Sequence, residues 1–180
     1  KTIKTIILSL TCLAMVSCDF LDKEPTKLTP DNYFNNADEA LSFLTSVYAP
    51  LTSQNFYGNE YMFMTGADDL SHYGGGRNPQ TSGAIACNNA NSSSPQFGNL
   101  WQTLYTGIDR ANTFLENIDK SKDISDKLLL QYTAEARFMR AYYYFTLVQG
   151  WGDVPFKTTS TSSVTGLYIP RTDKQTIYDF

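Results

Sequence analysis

Two long stretches of helical periodicity, parted by a few polar residues, constrain this chain more than any other feature. From Pro95-Gln96-Phe97 onward, Leu100, Trp101, Leu104, Tyr105, Ile108, Ala111, Phe114, Leu115 and Ile118 recur at three- and four-residue steps. That spacing puts them on one broad stripe of a helix of about six turns. A second segment, Lys127 to Gln149, carries Leu128, Leu129, Tyr132, Ala136, Met139, Tyr143 and Val148. The link between them, Asp119 to Asp126, is polar and short, so the two helices must fold back on each other as an antiparallel hairpin.

Such hairpins bury their remaining apolar faces by stacking, and the fold expected is mainly α: helical hairpins of the α-solenoid type, with long irregular loops. Between Phe138 and Val148 apolar residues occur on every side of the helix, so this segment is expected to be sandwiched between neighbours. Arg140 lies inside that run, and a buried guanidinium needs a partner. Glu135, Arg137, Arg140 and Asp109 are accordingly expected to form one ion-pair network locking helix to helix. Gly150 is placed to be the left-handed cap of this helix. A shorter amphipathic helix comes earlier, with Asn36 as its cap, Asp38 and Glu39 in its first turn and Ala40, Leu41, Leu44, Val47, Tyr48 and Leu51 at helical steps until Pro50. At the other end, Thr172 or Asp173 is placed to cap a helix that carries Ile177 and Phe180. That helix looks cut short, and the chain is expected to be an N-terminal piece.

The first residues have a different grammar. Lys1 and Lys4 precede the apolar run Ile6 to Val16, which ends at Ser17-Cys18. Eleven residues at 1.5 Å per residue reach about 16 Å, roughly half a bilayer core, so the run is a cleaved leader rather than a span. Met15-Val16-Ser17-Cys18 resembles a bacterial lipobox, with methionine where leucine is preferred, which makes Cys18 the expected site of fatty acylation. The expected division is therefore a lipoprotein signal peptide over 1–17, an acylated acidic tether over 18–30 and a helical domain over 31–180. With Cys12 lost and Cys18 acylated, Cys87 is alone and no internal disulfide can form. The chain carries a net charge of −4, and loss of a leader holding two lysines and no acid makes it more negative. Without a basic patch, nucleic acid is an unsuitable partner.

From Gln54 to Ser94 the periodicity collapses into glycine, asparagine and serine, and long loops of this kind are commonly functional. Flat rings that cover the carbon faces of a sugar, beside fixed amides for its hydroxyls, are what a glycan site requires. Tyr57, Tyr61, His72, Tyr73, Arg77, Asn78 and Gln80, around Gly74-Gly75-Gly76, form the best such group. Tyr73, Tyr57, Arg77 and Asn78 are the ligand-contact candidates. Trp101 and Trp151 are expected to pack in the core, as is the run Tyr142-Tyr143-Tyr144-Phe145. Catalytic and metal readings find little support. His72 is the sole histidine, no second ligand stands at metal spacing, and Gly74-Gly75-Gly76-Arg77 lacks the lysine of a phosphate loop. Asp68 and Asp69 are adjacent, and neighbours in sequence rarely converge on one glycosidic bond. A non-enzymatic protein without cofactor or metal is expected; the alternatives are a surface glycoside hydrolase and an adhesive or structural lipoprotein.

An ordered set of motifs goes further. Cys18-Asp19-Phe20-Leu21-Asp22 with Pro25, Asp31-Asn32-Tyr33-Phe34, Trp101-x-x-Leu104-Tyr105, Ile108-x-Arg110-Ala111-Asn112, and above all Glu135-Ala136-Arg137-Phe138-Met139-Arg140-Ala141-Tyr142-Tyr143-Tyr144-Phe145 leading into Trp151-Gly152-Asp153-Val154-Pro155 stand in sequence. On these the chain resembles the N-terminal part of the SusD/RagB family, differing in Trp151 where tyrosine is usual and in Phe156 where a smaller aliphatic is common. The resemblance implies a tetratricopeptide-like fold and a lipid-anchored, surface-exposed protein of the cell outer membrane. It also implies capture of oligosaccharide, polysaccharide or peptide for a SusC-like TonB-dependent β-barrel transporter.

Overall fold

Asn36 begins the first helix as its sequence position suggests. Its backbone is extended, its Oδ1 accepts the Glu39 amide at 2.9 Å, and Glu39 Oε2 in return takes the backbone and side-chain N–H groups of Asn35 at 2.9 and 3.0 Å. Reciprocal bonding of this kind satisfies amides that the helix leaves without partners. Helix α1 spans Ala37–Tyr48 and runs into a 3₁₀ turn, Ala49–Thr52, at Pro50. The computed structural model describes residues 33–59, 61, 89–163, 165 and 168–180.

Helix α2, Pro95–Asn117, starts on proline, whose missing N–H costs nothing in a first turn. A 3₁₀ turn, Ile118–Lys120, leads to α3, Asp126–Trp151, where the Ser125 hydroxyl accepts from the Leu128 amide. A two-residue strand, β1 (Val154–Pro155), pairs antiparallel with β2 (Arg171–Thr172) in the register Val154↔Thr172 and Pro155↔Arg171. Helix α4, Lys174–Tyr178, is capped by Asp173, whose Oδ1 accepts from the Gln175 amide at 2.9 Å.

Helices α2 and α3 form the expected hairpin, and α1 packs against both. Leu44 and Val47 of α1, Leu100, Leu104, Ile108, Ala111 and Phe114 of α2, and Ala136, Met139, Tyr143 and Leu147 of α3 make the core. At its centre a Cβ on Gly107 would fall 2.4 Å from Tyr143 Cε2, so the ring lies directly on the α2 backbone. The same phenol donates to the Val47 carbonyl at 2.6 Å. One side chain thereby joins three helices.

Two expectations are corrected. The left-handed cap of α3 is Gly152 (φ +69°), whose N–H bonds the Val148 carbonyl at 2.9 Å, and Gly150 is an ordinary helical residue. The extra turn keeps Trp151 edge-on against Trp101, ring centroids 5.3 Å apart, and both rings are half-buried on the core as expected. The all-round apolar segment of α3 is not sandwiched: Phe138 and Phe145 are 67 and 46% exposed, and on the same helix ahead of the segment Leu130 is 73% exposed. The sides that neighbours cover bear Tyr132, Ala136, Met139, Tyr143, Tyr144, Leu147 and Val148.

Candidate functional site

Past the 3₁₀ turn the chain coils tightly: the Phe56 and Gly58 amides both donate to the Ser53 carbonyl at 2.9 Å, and the Tyr61 amide donates to the Phe56 carbonyl at 3.1 Å. A Cβ on Gly58 would come within 2.6 Å of the Ser53 carbonyl oxygen and 2.9 Å of that of Thr52, so this coil needs glycine there. The coil sinks Phe56 fully into the core and lays Tyr57 across it, rings stacked at 4.2 Å and 26°. Tyr61 meets both edge-on, at 5.0 Å from Phe56 and 5.2 Å from Tyr57. The Tyr57 hydroxyl is hydrogen-bonded to the Tyr142 hydroxyl of α3.

Burial first, then the bond to Tyr57 and the nearby phenols, pushes Tyr142 up to about 12, and burial followed by Tyr57 raises Tyr61 as well. These two phenols therefore stay neutral across physiological pH. Tyr57 is 45% exposed. The platform offers an open ring and uncharged hydroxyls, the requirements for stacking on a sugar and bonding its hydroxyl groups.

Of the four ligand-contact candidates, Tyr57 is on this platform, while Tyr73, Arg77 and Asn78 lie outside the described residues, as do Cys18, His72, Gln80, the Asp68-Asp69 pair and the leader and tether. Tyr142 was expected to be packing only. Its role depends on a partner 85 residues away in sequence, a distance at which helical spacing carries no signal.

The expected ion-pair network does not form; its four members go elsewhere. Glu135 accepts from the Tyr48 hydroxyl at 3.0 Å and from Gln131 at 2.9 Å. Asp109 accepts the amide and hydroxyl of Thr161 at 2.8 and 2.7 Å, with Lys157 Nζ at 3.7 Å. Arg140 donates to Asn112 Oδ1 at 2.8 Å and lies 4.9 Å over the Phe180 ring. Arg137 is exposed and makes no hydrogen bond or ion pair among the described residues. The physical reason is that Asn112, fully buried, already stands opposite Arg140, and its amide also donates to the Lys157 and Thr159 carbonyls at 3.1 Å.

Together with Glu116, which accepts the amide and hydroxyl of Ser160 at 2.8 and 2.5 Å, these groups strap the segment after β1 onto α2. Tyr144 completes the strap, its hydroxyl donating to the Lys157 carbonyl and accepting its amide, both at 2.8 Å. The network is thus a neutral and carboxylate-bonded clamp rather than an interhelical salt bridge.

Comparison with known proteins places this architecture. A SusD-like family profile described as starch-binding associating with outer membrane matches residues 19–179. The SusD-like protein P25 of Formosa agariphila is 27% identical over 170 residues, covering 89% of this chain and 32% of the relative. A solved SusD homolog of Bacteroides thetaiotaomicron superposes with a TM-score of 0.74 at 31% identity, covering 87% of this chain and 31% of that one. A solved laminarin-binding SusD-like protein reaches a TM-score of 0.68 at 26% identity over 81% of this chain and 32% of its own length. The chain spans about a third of the length of the relatives it matches.

Proposed function

The chain belongs to the SusD-like family, and from that premise we propose that it is the N-terminal part of a non-catalytic glycan-capture lipoprotein of the outer membrane. Cys18 carries the acyl anchor, residues 18–30 space the body from the membrane, and bound oligosaccharide passes to a SusC-like TonB-dependent barrel. The observation that carries the reading is the platform of Phe56, Tyr57, Tyr61 and Tyr142 on a scaffold shared with a laminarin-binding relative. Tyr57 provides the stacking face, and Tyr142 holds it in place through the hydroxyl pair. Tyr73, Arg77 and Asn78, outside the described residues, are the further residues proposed to contact the ligand.

Affinity electrophoresis against a panel of polysaccharides, laminarin among them, paired with a reducing-sugar assay, tests this. Retardation without product is expected, and Tyr57→Ala should abolish retardation while Tyr57→Phe retains part of it. Release of reducing ends would overturn capture in favour of hydrolysis. Cys18→Ala should remove labelling by a fatty-acid analogue and free the protein from membranes; persistent labelling would refute the anchor.

A further inference from the structure

Tyr57 and Tyr142 meet hydroxyl to hydroxyl, 85 positions apart in sequence. The phenols of Tyr33, Tyr48, Tyr105, Tyr143 and Tyr144 are instead bonded to a serine, a carboxylate or a backbone carbonyl. The platform differs in pairing one phenol with another. Contact of the two oxygens is also what an ortho-linked biphenol retains, because its hydroxyls flank the bond that joins the rings.

Tyr57 is exposed and Tyr142 half-buried, so a small oxidant reaches the pair from the Tyr57 side. Neither ring wanders. Tyr57 is stacked on Phe56 at 4.2 Å on a hydrogen-bonded coil, and Tyr142 is carried by α3. Two groups held in this way react as parts of one molecule, which raises their effective concentration far above that of phenols meeting from separate chains.

We propose that Tyr57 and Tyr142 form a site of oxidative cross-linking, joined through one-electron oxidation of both phenols by hydrogen peroxide and a haem peroxidase, and that the product locks the coil to α3. Each phenol loses one electron and its hydroxyl proton to become a phenoxyl radical. The radicals pair at one Cε of each ring, the hydrogens on those carbons leave as protons, and one proton returns to each oxygen. Per cross-link, two Cε–H bonds break and one Cε–Cε bond forms, while the peroxide takes up two electrons and two protons and becomes two waters. The open face of Tyr57 takes no part in the bond, so this chemistry stands apart from glycan capture.

The purified protein would be treated with hydrogen peroxide and a catalytic amount of a haem peroxidase, and the monomeric chain isolated under denaturing conditions. That monomer should gain the blue fluorescence of a biphenol and lose two hydrogen atoms in mass, and its digest should hold the peptide of Tyr57 joined to that of Tyr142. Its urea midpoint should move upward, because a bond across 85 positions removes conformations from the unfolded chain. Tyr57→Phe and Tyr142→Phe should each lower monomer fluorescence at least fivefold, while Tyr61→Phe keeps it. Tyr168, 94% exposed, and Tyr178 compete by coupling between chains, and replacing both with phenylalanine should remove dimers and leave the monomeric product. Fluorescence confined to dimers, a link from Tyr57 to Tyr61 in place of Tyr142, or undiminished monomer fluorescence in Tyr57→Phe overturns the site. A cross-linked monomer with an unmoved urea midpoint overturns the lock.

Discussion

Gly107→Ala tests the central packing contact, because two opposed effects of known size decide its sign. Glycine inside a helix costs about 1 kcal/mol relative to alanine, so with nothing nearby the substitution would stabilise α2. Here the new Cβ would meet three atoms of the Tyr143 ring at 2.4 to 2.7 Å, inside any tolerated contact. The ring has no free direction: it is fully buried, and its hydroxyl is bonded to the Val47 carbonyl at 2.6 Å. Overpacking of a tight core costs about 1–3 kcal/mol. Displacing the phenol leaves a buried carbonyl unpaired at about 1–3 kcal/mol more. Set against the propensity gain, the net effect is a loss of about 1–5 kcal/mol. At about 2–4 °C per kcal/mol for a chain of this size, the melting midpoint falls by about 2–20 °C.

Urea titration and thermal melting followed by circular dichroism would measure it. Gly150→Ala, where the added methyl meets nothing within 4 Å, is the control and should be neutral or stabilising by up to about 1 kcal/mol. In a Tyr143→Leu background, Gly107→Ala should lose most of its penalty. A Gly107→Ala protein as stable as the control, or a penalty unchanged by Tyr143→Leu, would refute the reasoning.

Gly152→Ala should destabilise by at least about 1–2 kcal/mol, since φ +69° penalises any Cβ; a neutral result in urea titration would return the cap to Gly150. Asn112→Ala strips partners from Arg140 and from the Lys157 and Thr159 carbonyls. It should cost about 3 kcal/mol and speed proteolysis between residues 157 and 163, and unaltered cleavage would contradict the strap. Burial, opposed by the Lys157 backbone bond and the charge of Arg140, holds Tyr144 near 12, and Tyr142 is likewise raised to about 12. A phenol whose folded pKa exceeds its unfolded value binds its proton more tightly when folded. Its stabilisation is complete below about pH 10 and is lost as pH climbs through 12. Stability measured from pH 9 to 11.5 should decline, less so in Tyr144→Phe, and a flat profile would count against these environments.

The helices were legible because their signals are local. Asn36 before Asp38 and Glu39, Pro95 ahead of a three- and four-residue apolar rhythm, and Asp173 before Lys174 each act within one turn, where propensity and capping operate. The hairpin followed from the shortness of the link. Gly150 and Gly152 illustrate the limit. Both suit a helix end, and the choice between them depends on Trp151 remaining against Trp101, a contact 50 residues distant.

Polar partners were illegible for the same reason. Arg140 needs an oxygen in any fold, and which oxygen it finds depends on where α2 presents Asn112, 28 positions back.

Periodicity, caps and a short link thus determined by themselves that this chain forms an α-helical hairpin with a preceding helix, because burying an apolar stripe is non-directional and tolerates many exact packings. Tertiary structure alone decided that Tyr142 meets Tyr57, that Tyr143 lies on Gly107, that Asn112 replaces a carboxylate beside Arg140, and that one side of α3 is left bare. Hydrogen bonds and ring contacts are short-ranged and directional, so their partners are selected only once the helices have come together.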